Sequence, residues 1–202
     1  RSIPIDLSRD EAEDASATLQ TALAQAQIQL VDVRSRMVFP RLFNAKVEQC
    51  GSKGVALSEW TLQLVHDVLE SLPSDTVNIR CDKHGGRNRY AGVLQHIFAD
   101  QLVQVLHESR ADSAYQGGPS DQRVQIRFTA KGERFLPAAL ASMVSKYLRE
   151  VAMAAFNKFW TDRRPGLEPT AGYPVDAKRF VGAIAEHRKA IGVSDNAIWR
   201  QR

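Results

Sequence analysis

Hydrophobic positions along the chain switch repeatedly between a helical and an extended period. Over residues 8–27, Ala12, Ala15, Leu19, Leu23 and Ala26 recur at helical spacing behind Ser8, whose side chain suits an N-cap. Residues 28–39, IQLVDVRSRMVF, change to β-branched residues in alternation and predict a strand. Pro40 opens a short helix running to about Cys50, with Gly51 as its stop. The next helix begins at Leu57 or Ser58, with Trp60, Leu64, Val65, Val68 and Leu69 as an apolar stripe. TVNIRCD (76–82) is a short strand ending in an acid, and the glycine-rich turn KHGGRNRY leads from it into a helix over 89–98. Residues 101–107 and 122–131 alternate as strands, separated by the polar loop ESRADSAYQGGPSD. A long helix is expected over 135–161 and a final one over 175–191, with the loop RRPGLEPTAGYP between them.

Helices interleaved with strands point to an α/β fold, a mixed sheet flanked by helices. Linker-like segments are few, so the expectation is one domain over 1–202, with 162–202 packed as a C-terminal helical appendage. At 202 residues the chain is long enough for a sizeable core. No stretch approaches the ~20 apolar residues that cross a bilayer, which excludes a helical membrane span.

Charge and cysteine content narrow the picture further. A net charge of +4 suits a polyanionic partner without establishing one. Cys50 and Cys81 show neither zinc-ligand nor disulfide spacing, which fits a reducing cytoplasm. None of the five histidines shows ligand-like pairing, and His84 draws notice only because it neighbours Asp82.

Asp82 is the most informative position. An acid at the C-terminal end of a strand, before Gly85-Gly86, lies where open α/β sheets place ligands, and it is a hard-oxygen donor for Mg²⁺ or Mn²⁺. The same residue could equally cap its own turn. Lys83, Arg87 and Arg89 surround that turn and could hold phosphates, or they form a solvated basic loop. Glu133, opening the long helix, is either a first-turn acid favoured by the helix dipole or a second metal carboxylate beside Asp82. Tyr173, on a Gly/Pro loop, can stack on a sugar or base or cover the core edge.

These residues accumulate into a family likeness. The run LPAALASMVSKYLRE (136–150) resembles the ribonuclease HII stretch written AAASIxAKVxRD, with Ala141-Ser142 and Lys146 in register and Arg149-Glu150 in place of Arg-Asp. PTAGYPVDAKRF (169–180) resembles that family's GYGT loop and following helix, with Gly172-Tyr173 in register. NIRCD (78–82) resembles the central strand that ends in the third catalytic Asp, and KGE (131–133) falls where the family has its Gly-Asp. The likeness spans roughly residues 40–200 and points to a divergent bacterial branch.

The resemblance implies an RNase H-like fold and a metal-dependent endonuclease acting on RNA–DNA hybrids or on ribonucleotides embedded in duplex DNA. It implies that Asp82 and Glu133 bind Mg²⁺ or Mn²⁺ as catalytic carboxylates. Tyr173 would stack on the sugar at the RNA–DNA junction, and Lys146 and Ser142 would lie near backbone phosphates. The family's first strand carries an Asp-Glu pair in a DEAGxG motif that nothing here matches; Asp10-Glu11 and Glu13-Asp14 lie in a helix and lack the glycines. The expectation is therefore an upstream segment bearing that pair, without which residues 1–202 are inactive, in a monomer associated with that segment. The rival readings are a non-catalytic nucleic-acid-binding module of the same fold and a protein-interaction domain.

Overall fold

The computed structural model describes residues 7–72, 76–117 and 123–200. It is an α/β structure containing a four-stranded mixed sheet with helices against it. Contacts cluster into two units: residues up to Arg34 with Tyr147–His187, and Ser35–Lys146 with residues from Arg188 onward.

In the second unit, α2 (Pro40–Cys50) starts on a proline at its first position and stops where Gly51 adopts φ 67°. These are the two ends that proline and glycine favour. Helix α3 (Lys53–Leu69) begins a turn earlier than its apolar stripe suggests, behind Ser52 in extended conformation. Strand β1 (Thr76–Asp82) leads through the Gly85 turn, at φ 60°, into α4 (Ala91–Ile97). Three strands follow: β2 (Gln104–Glu108), β3 (Asp112–Gln116) and β4 (Arg123–Thr129). The sheet order is β1-β4-β3-β2, with β1 parallel to β4 and the other pairs antiparallel. Strand β4 is thus central, and its alternate residues Val124, Ile126 and Phe128 are all buried. They pack with Leu62 and Leu69 of α3 and with Val93, Leu94 and Phe98 around α4.

Three aromatic rings anchor this core. Tyr90 stacks on Phe128 at 3.6 Å between centroids and 4° between planes, and Tyr115 meets both edge-on. Their polar ends are connected: the Tyr90 backbone N–H donates to the Tyr115 hydroxyl (2.9 Å), which donates to Glu108 Oε1 (2.5 Å). Burial and the Glu108 carboxylate both push the Tyr115 phenol's pKa upward, so it remains a donor.

In the first unit, α1 (Arg9–Gln25) is closed by a capping box, with Ser8 N–H donating to Glu11 and Glu11 N–H to the Ser8 hydroxyl. The C-terminal part of α5 (Leu136–Thr161) carries Phe156, whose ring meets Phe180 of α6 (Pro174–Ala183) at 5.5 Å and Trp160 at 6.3 Å.

The structure departs from the sequence expectations at three places. Residues 28–39 form no strand: Ile28, Leu30, Val31, Val33 and Phe39 are exposed, and alternation without a ladder partner does not make a strand. Strand β3 lies inside the stretch expected to be a polar loop, because Asp112–Gln116 pairs on both sides and buries Ser113 and Ala114. The expected last helix breaks at the fully buried Ile184 into α6 and α7 (Ala185–Ala190), followed by α8 (Asp195–Ile198). Gly182, a poor helix former, precedes that break.

Replacing Tyr115 by Phe keeps the ring but leaves the Tyr90 N–H without its acceptor and Glu108 without its donor. The expected cost is about 1–3 kcal/mol, measured as a lower urea midpoint at unchanged slope.

Candidate functional site

The end of β1 is built by a backbone contact. In register, Asp82 lies opposite Thr129, the last residue of β4. The chain then turns at Lys131, held at φ 58°, and places Gly132 directly against Asp82. A Cβ on Gly132 would sit 3.1 Å from Asp82 Cα and 3.3 Å from its N, closer than most Cβ contacts, so a side chain there would push the strand end by a few tenths of an ångström. The Gly132 N–H donates to Asp82 Oδ1 at 3.0 Å. Asp82 Oδ2 has no hydrogen-bond partner among the described residues, and the residue is exposed.

Glu133 follows within the 3₁₀ turn Gly132–Arg134, so it is one residue from the Asp82 contact. Its Oε1 accepts from Ser142 Oγ at 3.0 Å and lies 3.8 Å from Lys146 Nζ. Both partners project from α5, at positions 142 and 146, one helical turn apart. Of the expected residues, Glu133 thus touches Ser142 and Lys146, while Asp82 touches Gly132, the residue before Glu133.

The basic residues of the turn divide. Lys83 Nζ donates to Asn88 Oδ1 (2.9 Å), the Ser109 carbonyl (2.6 Å) and Ser113 Oγ (3.3 Å). All three ammonium donors are engaged inside the protein, so Lys83 closes the turn onto the β2–β3 connection. Arg87 lies half-buried with its guanidinium 5.8 Å from the Tyr90 ring centroid. Arg89 is almost fully exposed, 3.8 Å from Glu108.

Behind Asp82, side chains that could act as nucleophile or base are held inert. Burial, with Asp82 adding to it, pushes the Cys81 thiol up to about 12. Burial chiefly, then the Arg87 charge, brings His84 down to about 4 against an opposing pull from Asp82. The His84 ring packs edge-on against Tyr90 and Phe128, and Nδ1 meets Ser58 Oγ at 2.9 Å. Ser58 donates its single hydroxyl proton to the Gly54 carbonyl, which makes Nδ1 the protonated nitrogen. This neutral imidazole is a structural post and reaches no substrate-facing position.

In the first unit, Tyr173 sits on a separately organised loop. Asp176 Oδ2 accepts from Thr170 Oγ1 (2.6 Å) and the Ala171 N–H (2.9 Å), while Arg179 donates to Oδ1 (2.7 and 3.0 Å). The Thr170 hydroxyl in turn accepts from the Gly172 N–H, and Asn157 clamps both backbone groups of Thr170. Gly172 takes φ 78°, which a side chain would strain. Tyr173 is 66% exposed with the Arg149 guanidinium 5.7 Å from its ring centroid. The ring is thus presented to solvent on a fixed loop.

Sequence reading missed a further group. His66, Asp67 and Glu70 place donor atoms within 4.8 Å of one another, correcting the reading that no histidine has a ligand-like neighbour. The i, i+4 spacing of His66 and Glu70 was the available signal.

Two substitutions check these supports. Gly132→Ala is expected to destabilise by about 1–3 kcal/mol, because its methyl presses on the paired backbone of Asp82 at 3.1–3.3 Å. For Asp176, hydrogen bonds from Thr170, Arg179 and Ala171 hold the carboxyl down at about 2, below the ordinary 3.8. A depressed folded-state pKa contributes stability that is complete above the ordinary value and is lost as pH falls through the folded one. The stability gap between the native protein and Asp176→Asn is therefore expected to be constant near neutrality and to narrow from pH 4 towards pH 2 in denaturant titrations. Comparison with protein-family models, curated proteins and solved structures returns no significant match, and among the described residues no helix is long and apolar enough to cross a membrane.

Proposed function

We propose that this chain carries part of a metal-dependent endonuclease site of the ribonuclease HII type, on an RNase H-like sheet. The observation that supports it is the contact of Asp82, at the end of the parallel β1–β4 pair, with Gly132, the residue that precedes Glu133. An exposed carboxylate at a strand end, joined by a second from the neighbouring strand's exit, is a hard-oxygen donor set suited to Mg²⁺ or Mn²⁺. Asp82 Oδ2 and the Glu133 carboxylate would hold the ion, which supplies polarisation of a phosphodiester and a nucleophilic water.

The chain's own residues do the positioning. Gly132 N–H fixes the Asp82 rotamer, and Ser142 and Lys146 hold Glu133 from α5. Lys146, with its side chain 74% exposed, also offers a cation to a backbone phosphate. Arg87, beside the same turn, is a second phosphate contact, whereas Lys83 shapes the turn. Tyr173, exposed on its fixed loop, offers a stacking face for a sugar or base at an RNA–DNA junction. The resemblance calls for two further carboxylates that match nothing in residues 1–202.

The test is cleavage of duplex DNA bearing one ribonucleotide, in Mg²⁺ and in Mn²⁺, by residues 1–202 and by any longer natural form of the chain. Cleavage is expected where four carboxylates are present. Asp82→Asn should remove more than the roughly 10–100-fold that loss of an outer-shell partner costs. Salt-dependent duplex binding with no cleavage in any form, unchanged by chelator, would replace this reading with a non-catalytic nucleic-acid-binding module.

A further inference from the structure

The last turn of α3 combines features that its own stability does not explain. A helix C-terminus carries negative partial charge and favours cations. Here that turn instead holds Asp67, and Glu70 stands at the C-cap, with His66 as its one basic residue. Donor atoms of His66, Asp67 and Glu70 lie within 4.8 Å of one another. His66 Nδ1 and Glu70 Oε2 are 3.8 Å apart, too far for a hydrogen bond.

A cavity of about 70 Å³ adjoins this turn, lined by His66 and Glu70 and, from the α4–β2 connection, by Asp100 and Gln101. Two buried polar atoms on residues lining it, His66 Nδ1 and Gln101 Oε1, have no hydrogen-bond partner among the described residues. An orphaned imidazole nitrogen and an orphaned amide oxygen, both electron-pair donors, are the complement of a cation rather than of an anion or an apolar ligand.

We propose that this turn is a divalent transition-metal site of the zinc class, distinct from Asp82 and Glu133. His66 Nδ1 and Glu70 supply an i, i+4 ligand pair on one helix face. Two ligands at ~2.0 Å from a tetrahedral ion stand ~3.3 Å apart, so the pair needs to close only slightly. Asp67 is the third ligand; its Oδ1 also accepts from Gln63 Nε2 at 3.1 Å and its Oδ2 from Arg36 Nη2 at 3.4 Å, which fix its rotamer. Gln101 Oε1 or a water completes the four. The imidazole selects zinc-class ions over Mg²⁺. The role is structural: the ion ties the end of α3 to the chain following α4, where Phe98 is 5% exposed and packs in the core at 5.8 Å from the His66 ring.

The experiment is calorimetric titration of the chelator-stripped chain with Zn²⁺ and, separately, Mg²⁺, with Co²⁺ absorption as the report on coordination. One Zn²⁺ per chain with a raised Tm is expected, and no comparable Mg²⁺ binding at this site. Glu70→Gln, at an exposed position that leaves folding intact, should weaken Zn²⁺ binding at least about tenfold. His66→Gln should also remove the nitrogen-ligand signature of Co²⁺. Asp82→Asn should leave both unchanged, which separates this proposal from the nuclease reading. Absence of saturable Zn²⁺ binding, Zn²⁺ binding indifferent to Glu70→Gln and His66→Gln, or its loss in Asp82→Asn would each overturn it.

Discussion

The pairing of β1 with β4, and the backbone contact just beyond it, is the constraint on which the candidate site depends. The two strands run in parallel and in register to Asp82 and Thr129, so their C-terminal ends finish together. Gly132 then lies so close to Asp82 that a Cβ there would meet its backbone at 3.1 Å. A parallel pair presents the ends of both strands on one side, and in α/β sheets that side is where functional groups collect. Every other feature of the proposed site, from Glu133 in the following turn to Ser142 and Lys146 on α5, takes its place from that contact.

Rigidity behind the site comes from a polar network within an aromatic core. Tyr90, Tyr115, Phe128 and His84 interlock as rings, while their polar atoms satisfy one another and the neighbouring backbone. The Tyr90 hydroxyl accepts the His84 N–H and the Tyr115 hydroxyl accepts the Tyr90 N–H, so the turn that follows Asp82 is tied to the core at two points. Lys83 adds a third tie through Ser109 and Ser113. A network of this kind specifies one arrangement because each unmade bond would leave a buried group unpaired. The turn carrying Arg87 is held accordingly, and the catalytic-looking His84 and Cys81 belong to its support.

The two units solve the same problem in different ways. Around Asp82 a sheet supplies the frame, whereas around Tyr173 a single carboxylate does. Asp176 gathers a hydroxyl, a backbone N–H and a guanidinium, and so shapes the end of a loop with two prolines and two left-handed glycines. Both arrangements leave a side chain of the proposed site exposed, Asp82 in one unit and Tyr173 in the other.

Much of the local structure was legible in the sequence where a residue imposes it by its own chemistry. Ser8 with Glu11, Pro40 with Gly51, and the alternating Thr76–Asp82 run each produce the element they signal, because caps, breakers and periodicity act over a few residues. The position of Asp82 at the end of β1 followed for the same reason, whereas Glu133, expected in the first turn of the long helix, lies in the separate 3₁₀ turn before it. What depends on partners distant in the chain was not legible. The stretch 28–39 has a strand's pattern and no ladder, while polar Asp112–Gln116 has a ladder on both sides and is a strand. Lys83 reads as a phosphate contact until three acceptors, two of them about 26–30 residues away, are found to engage it. His66 reads as isolated until the cavity beside α3 is seen. Hydrogen-bond satisfaction and burial are properties of the assembled neighbourhood, so only the tertiary structure could decide them.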